Sequence, residues 1–406
     1  MDKRTQTLLG LEAYRIVGTK RLSPEEEEVQ VALAPASPCP GCGRPTGTVH
    51  QRATRPSRVL WSFVNGRRLW LVVRRRRLRC APCGRVFTQP LPGVAPRQRV
   101  SVVAQTALLG ALAEQSFAAV ARSYGISYGR AQRLLLRLPV PWCAWEDLVG
   151  REGPIVLGID EHSFRGKDLV ITITCLSTHR LLTILPDDRQ ATLRRWLLAL
   201  PQEVRSRVVA VCTDLREAFR KVVQQVLPQA VLVADHFHVI QDATRRLDET
   251  RRLEQSEAKT ALPRWPLVKG QERLTPKQQA QLAVLQQRYP ATIGEQHWLK
   301  EGLRQLYRCP DGPMATRHFR NLVLNAEEAE DASTVLWART LRRWDKEILG
   351  YFQYRITNAY TEGCNTKVKL LKRLSYGFRN VEVYIRKMLL GFLPHSHEVL
   401  APHILT

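Results

Sequence analysis

The sequence predicts a multidomain α+β protein. It should have a cysteine-framed β module near the N-terminus, then a pair of short helices, then an α/β core interrupted by an all-helical insertion. Three observations carry this. Two Cys-x-x-Cys pairs bracket a strand-rich, arginine-rich zone. Two short helical stretches follow it and meet at a glycine. From residue 155, apolar strand runs alternate with helical periods, and the pattern turns wholly helical near residue 237. The 406 residues suffice for several domains at roughly 100–200 residues each.

Composition narrows the function. A hydrophobic fraction of 44% excludes a disordered chain. Lys and Arg number 62 against 37 Asp and Glu, a net charge of +25 that calls for a polyanionic partner, and nucleic acid is the default. No run approaches the ~18 apolar residues of a membrane span. Met1-Asp2-Lys3-Arg4 leads into no secretory hydrophobic stretch, so a cytoplasmic protein without a membrane partner is expected. Nine cysteines, an odd number, argue against a disulfide framework.

Taken in order, residues 1–38 form an N-terminal β-hairpin segment, with Glu25 to Glu28 leading into the apolar-alternating Val29 to Leu33. Residues 39–100 hold fourteen Arg and no Asp, Glu or Lys, including the run Arg74, Arg75, Arg76 and Arg77, a charge bias suited to phosphate. Cys39 and Cys42, Cys80 and Cys83 each sit on a turn followed by glycine. Two such turns aim four thiolates at one tetrahedral centre, so a structural Zn²⁺ and a zinc-ribbon DNA-binding domain are expected. Between the pairs, two strand-like runs flank Asn65-Gly66, a strong hairpin signal. His50 reads as a surface histidine.

Residues 101–150 are expected to be a helix-turn-helix domain and linker, the helical stretch closed by Pro139-Val140-Pro141. Phe117 to Tyr124 stops at Gly125, and Ser127 can cap a second helix whose first turns offer Arg130, Gln132 and Arg133 to DNA.

From residue 155 the pattern is three strands, a helix, a strand, a helix and a strand. That is the ribonuclease H-like order, expected here over residues 151–239 as the first part of the core. The first run, Ile155 to Asp160, and the fourth, Val208 to Asp214, both end in a carboxylate. In that fold these strands are neighbours, which puts Asp160 beside Asp214. Two close carboxylates repel unless a cation lies between them, and Mg²⁺ held by oxygen ligands suits phosphodiester chemistry. The third carboxylate is expected from Glu362, which leads into a helix from Thr366 to Leu374. Asn365, Lys369 and Arg373 follow it at helical spacing, a cationic stripe for DNA. Residues 240–345 then form a helical insertion, with Thr275-Pro276 starting one of its helices, and residues 346–406 the C-terminal part of the core. Glu327, Glu328 and Glu330 read as a solvated helix face, and Glu382 as the weaker competitor of Glu362.

The chain resembles the DDE transposases of bacterial insertion sequences, in particular the zinc-ribbon branch called the ISL-three family. The resemblance rests on the two cysteine pairs, on Gly158-Ile159-Asp160-Glu161 with Phe164-Arg165, and on Thr213-Asp214-Leu215. It extends through Leu227 to Ala230 and Asp235 to Val239, and from Thr357-Asn358-Ala359 through Gly377 to Asn380. It implies a catalytic triad of Asp160, Asp214 and Glu362 using Mg²⁺, for which Mn²⁺ can substitute. Asp235-x-x-His238 resembles a core signature of transposases with an all-helical insertion. The implied activity is binding of the terminal inverted repeats, strand cleavage and strand transfer into target DNA. The implied assembly is a homodimer or higher oligomer on double-stranded DNA at the bacterial nucleoid. A regulator that binds DNA without catalysis, and a nuclease or resolvase of the same fold, are the alternative readings.

Overall fold

The computed structural model describes residues 3–53, 55–137, 146–149 and 151–392. It divides into two compact units, Met1–Pro141 with Val368–Thr406, and Trp142–Lys367. The proposed helix stop at Pro139-Val140-Pro141 lies outside the described residues.

The first unit opens with helix α1 (Lys3–Leu8) and the expected hairpin, strands β1 (Arg15–Ser23) and β2 (Glu26–Ala32). Short strands β3 (Ser37–Pro38) and β4 (Pro45–Thr46) pair across the first cysteine turn. Strands β5 (Val49–Arg52), β6 (Ser57–Val64), β7 (Arg67–Val73), β8 (Arg76–Arg79) and β9 (Val86–Thr88) complete two sheets, ordered β1-β2-β7-β6 and β5-β8-β9. The β6–β7 hairpin turns at Asn65 (φ 50°) and Gly66 (φ 75°), the left-handed pair that a two-residue turn needs. The hairpin does not stay with the cysteine module. β7 pairs in parallel with β2, so the long gap between the cysteine pairs is spent closing a sheet with the N-terminal hairpin around Leu11, Tyr14, Trp61 and Leu71.

Helices α2 (Val102–Glu114), α3 (Phe117–Tyr124) and α4 (Tyr128–Arg137) follow. Ser101 and Ser116 cap the first two through the amides of Ala104 and Ala119. Gly125 closes α3 in the left-handed region (φ 57°). Ala131 and Leu135 form the buried stripe of α4.

The second unit contains α5 (Glu146–Val149), then β10 (Ile155–Arg165), β11 (Asp168–Cys175) and β12 (Arg180–Leu185) as an antiparallel meander. Helices α6 (Gln190–Ala199) and α7 (Gln202–Ser206) lead to β13 (Val208–Thr213), and α8 (Glu217–Val226) to β14 (Val231–Ala234). The sheet order is β12-β11-β10-β13-β14, with β13 parallel to both of its neighbours. Because side chains alternate along a strand, Leu157, Ile159, Ile171, Ile173 and Val211 face one way, into a core with Leu193, Leu197, Phe219 and Val222 of α6 and α8. The opposite face carries Gly158, Asp160, Thr172, Thr174 and Cys212.

Helix α9 (His236–Ala258) then begins a helical stretch comprising α10 (Trp265–Val268), α11 (Pro276–Arg288), α12 (Glu295–Leu306), α13 (Gly312–Glu327), α14 (Ala332–Arg343) and α15 (Asp345–Tyr354). Thr275 forms a full capping box with Gln278 at the start of α11. Phe319, Trp337 and Ile348 are among the apolar residues at the centre of these helices. Glu327 pairs with Arg342, while Glu328 and Glu330 are exposed. Helix α16 (Ala359–Leu374) returns to the sheet. It starts seven residues earlier than the sequence suggests, so Glu362 lies inside its first turn. The last described helix, α17 (Val381–Leu390), belongs with the first unit, where it packs on α2 and α4 and buries Lys387, whose ammonium donates to the Leu112 carbonyl. Among the described residues, no helix is long and apolar enough to cross a membrane.

Candidate functional site

The polar face of the five-stranded sheet holds one group of interlocked side chains. Strand β10 runs past Asp160 to Arg165 because its hairpin with β11 outlasts its parallel pairing with β13, so Asp160 is mid-strand and does not end it. Ile159 pairs with Thr213, and the next residue on each chain is therefore Asp160 beside Asp214. Asp160 is buried, its Oδ1 accepting from the Glu161 amide (2.8 Å) and its Oδ2 from Asn365 Nδ2 (2.8 Å). Burial first, and the Asp160 charge second, push the Asp214 carboxyl up to about 6, with His238 pulling the other way.

Helix α16 is seated on this face by hydrogen bonds. Asn358 Nδ2 donates to the Ile159 carbonyl (3.0 Å), Thr361 Oγ1 donates to Asn358 Oδ1 (2.6 Å) and lies 2.7 Å from Thr174 Oγ1. Thr172 Oγ1 donates to Asn365 Oδ1 (2.6 Å) and lies 3.0 Å from His162 Nδ1. Asp235, 1% exposed, receives the Asn358 amide on Oδ1 (3.1 Å), which fixes the chain just ahead of the turn bearing Glu362. His238, one turn into α9, has Nε2 at 4.0 Å from Asp235 Oδ2 and 3.6 Å from Glu362 Oε1. Ligand atoms of Asp235, His238 and Glu362 lie within 4.8 Å of one another, close enough to share a cation. The buried Cys212 thiol registers the whole group, held well above its ordinary range by burial and then by Asp235, Asp160 and Glu362.

Gly158 explains how close α16 comes. A methyl group there would lie 2.6 Å from both Asn358 Oδ1 and Thr174 Oγ1 and closer still to Thr361 Oγ1. Gly158→Ala is therefore expected to cost ~1–3 kcal/mol by overpacking and to shift the helix carrying Glu362. Thermal denaturation and the cleavage assay described below check this; an unchanged melting temperature would mean that α16 is seated more loosely than these contacts require.

Asp160 and Asp214 thus lie side by side on the sheet face, while Glu362, carried by α16, sits with Asp235 and His238. Glu382 does not, being an exposed residue of α17 paired with Arg386 at 3.1 Å. Asn365 leaves the expected cationic stripe: it is buried against Asp160, while Lys369 and Arg373 are exposed. Sequence reasoning missed the positioning roles of Asn358, Thr361, Thr172 and Thr174. The available signal was threonine recurring at alternate positions of an otherwise apolar strand.

In the first unit, each cysteine turn is built alike. Gly43 and Gly84 donate to the Cys39 and Cys80 carbonyls (2.8 Å each) with φ of 72° and 69°. The Cys39 and Cys83 sulfurs are 3.5 Å apart, as are those of Cys42 and Cys80, and all four fall within 4.8 Å. Sulfurs at ~2.3 Å from a tetrahedral Zn²⁺ would be ~3.8 Å apart, so the four thiols fit that ion. His50 is exposed outside the cluster. Of the arginine run, Arg75 donates to the Gln89 carbonyl (2.9 Å) and Arg76 to that of Ala34 (3.0 Å), leaving Arg74 and Arg77 exposed. Arg130 and Gln132 are half-buried and Arg133 is exposed on α4.

Comparison with known proteins accounts for this constellation. A family model described as a transposase, of the DDE ISL3 type, matches residues 157–388, more than half of the chain. The transposase for insertion sequence element IS1001 of Bordetella parapertussis is 26% identical over 411 residues, covering 97% of this chain and 98% of its own length. The transposase for insertion sequence element IS1557 of Mycobacterium tuberculosis (strain ATCC 25618 / H37Rv) is 26% identical over 277 residues, 61% of this chain and 62% of its own. The match runs from one strand residue before Gly158 through the sheet, the helical stretch and α16 into α17, and on it the chain belongs to the ISL3 family of DDE transposases.

Proposed function

We propose that this transposase binds the terminal inverted repeats of an insertion sequence and catalyses Mg²⁺-dependent strand cleavage and strand transfer, with Asp160, Asp214 and Glu362 as its triad on a ribonuclease H-like core. The observation that carries the reading is the pair Asp160 and Asp214 on adjacent parallel strands, with Asp214 pushed up to about 6 by burial and by its neighbour. An acid pair that disfavours its own double ionisation fits a divalent cation. Asp160, Asp214 and Glu362 would hold Mg²⁺, or Mn²⁺ in its place. The ion would polarise the attacked phosphate and lower the pKa of the attacking water or 3′-hydroxyl.

The remaining residues position these ligands. Asn365 and the Glu161 amide hold both oxygens of Asp160, and Asp235 with Asn358 anchors the turn that presents Glu362. His238 lies against Glu362 and, when protonated, balances its charge. The zinc ribbon and the helix-turn-helix would carry DNA recognition through Arg74, Arg77, Arg130, Gln132 and Arg133, with Lys369 and Arg373 touching phosphates. Arg75 and Arg76 would act by holding the backbone between β7 and β8. Joining two ends requires two active sites, so a homodimer or higher oligomer on double-stranded DNA at the nucleoid belongs to the proposal. The domain division by function is a DNA-binding part up to residue 150, to which α17 adds its packing, and a core of residues 151–239 and the chain from 346 through α16 around the insertion 240–345.

The test is an assay on duplexes from the ends of the element that carries this gene, with Mg²⁺, Mn²⁺, Ca²⁺ or EDTA. The expected products are nicks with free 3′-hydroxyls in Mg²⁺ and Mn²⁺ and none in EDTA. End binding without cleavage in any divalent ion would leave only the regulator reading.

A further inference from the structure

A cleft of about 460 Å³ lies between α4 and the segment just ahead of α2, and five arginines line it: Arg97, Arg99, Arg130, Arg133 and Arg137. Three features set it apart from the other basic surface of the first unit. Its guanidiniums are uncommitted: among the described residues, none of the five forms an ion pair or donates a side-chain hydrogen bond. Arg58 and Arg68, by contrast, are bound to Glu26, and Arg75 and Arg76 to carbonyls. No acid is among the residues that line it, and Glu114 is the only acid between Glu28 and Glu146 in the sequence. The cleft is built at some cost as well. Arg97 holds a left-handed backbone (φ 62°), rare for a bulky residue. Arg130 is half-buried, and its guanidinium is disfavoured first by burial and then by Arg133.

Like charges gathered in a cavity without a counter-charge mark a site for an anion supplied from outside. Arginine is suited to one anion in particular, a phosphate oxygen pair met by a planar fork of N–H donors. We propose that this cleft clamps the sugar-phosphate backbone of duplex DNA, so that Arg130 and Arg133 grip phosphates there and do not read base edges. The proposal rests on the DNA-transposase reading and sharpens it. Ser127, Arg130, Leu134 and Arg137 share the face of α4 that lines the cleft, and Gln132 lies off that face. Sequence reading by α4 then falls to Gln132 and to the exposed Tyr128 beside it.

The experiment measures salt-dependent binding of the full-length protein to two duplexes, one from the element's ends and one of random sequence. The variants are Arg97→Gln with Arg137→Gln, both on exposed residues, and Arg130→Gln. Circular dichroism verifies folding, and Arg137→Lys serves as the charge-keeping control. The expected result is an equal fold-loss of affinity on both duplexes, and a salt slope shallower by ~1 for each arginine that contacts a phosphate. The control should keep the wild-type slope. A loss confined to the end duplex would overturn the proposal in favour of base reading, and so would unchanged slopes in folded variants. Cleavage chemistry is a separate readout: an inactive triad with these slopes intact would sink the catalytic reading and leave the clamp standing.

Discussion

Asp160→Asn protein is expected to bind end DNA almost as wild type does and to cleave it at least ~10³-fold more slowly, because a lost metal ligand removes several kcal/mol of transition-state stabilisation. The substitution keeps volume and shape, so the sheet is undisturbed. It cannot keep both hydrogen bonds, since Asp160 accepts from the Glu161 amide and from Asn365 Nδ2, and an asparagine amide offers one acceptor where two are used. A loss of ~1 kcal/mol in stability is expected from that alone. A second readout separates charge from packing. Asp160 is one of the causes that raise Asp214, so in the metal-free variant the Asp214 carboxyl should titrate below its wild-type value of about 6. NMR titration of that carboxyl reads this directly. Glu362→Gln should lose cleavage to a similar degree, and Glu382→Gln should not. Wild-type cleavage by the Asp160 variant would remove the triad from the mechanism.

Loss of the Zn²⁺ proposed for the cysteine cluster is expected to unfold the two cysteine turns and the β5-β8-β9 sheet and to abolish end binding. The apolar centre of this module consists of Leu78 and Phe87 with Cys39 and Cys80 themselves, too little to hold three short strands without a further constraint. A structural Zn²⁺ contributes ~10–16 kcal/mol of apparent binding energy in small zinc modules, comparable to the whole stability of a domain. Protein purified without chelator should contain one equivalent of zinc by elemental analysis. The double variant Cys80→Ser with Cys83→Ser should contain none, melt at lower temperature and bind the end duplex weakly. Because β5, β8 and β9 pair only with one another, the sheet around Trp61 should survive. Zinc-free wild-type protein with an unchanged melting curve and affinity would refute the assignment.

Local chemistry was readable from the chain, and distant partnership was not. The glycine turns after Cys42 and Cys83, the Asn65-Gly66 hairpin, and the caps at Ser127 and Thr275 are each decided by a few neighbouring residues. Strand periodicity gave the order of β10 to β14, and the expected ribonuclease H-like order, not the periodicity, made Asp160 and Asp214 neighbours. Three things escaped. Pairing of β2 with β7 joins strands some forty residues apart, and the Glu26–Arg68 ion pair that goes with it (3.0 Å) exists only once they lie side by side. Asn365 shares helical spacing with Glu362, Lys369 and Arg373, and spacing cannot tell that Asp160, 205 residues earlier, holds it inward. Arg75 and Arg76 look identical to Arg74 and Arg77 until the carbonyls they bind are in place.

The bonds that seat α16 also set an order of events during synthesis. Asn358, Thr361 and Asn365 leave the ribosome long after the last strand, yet they fill the polar face of a sheet whose five strands are all made by residue 234. For the duration of the intervening stretch that face has no permanent cover, and Asp160 lacks the Asn365 amide that holds it. Helix α17, which completes the packing of α2 and α4 in the other unit, emerges later still. A premature stop near residue 356 would thus release a chain with every strand of the sheet present but neither unit closed. Synthesis has to run well past the last strand before either the sheet face or the α2–α4 packing is complete.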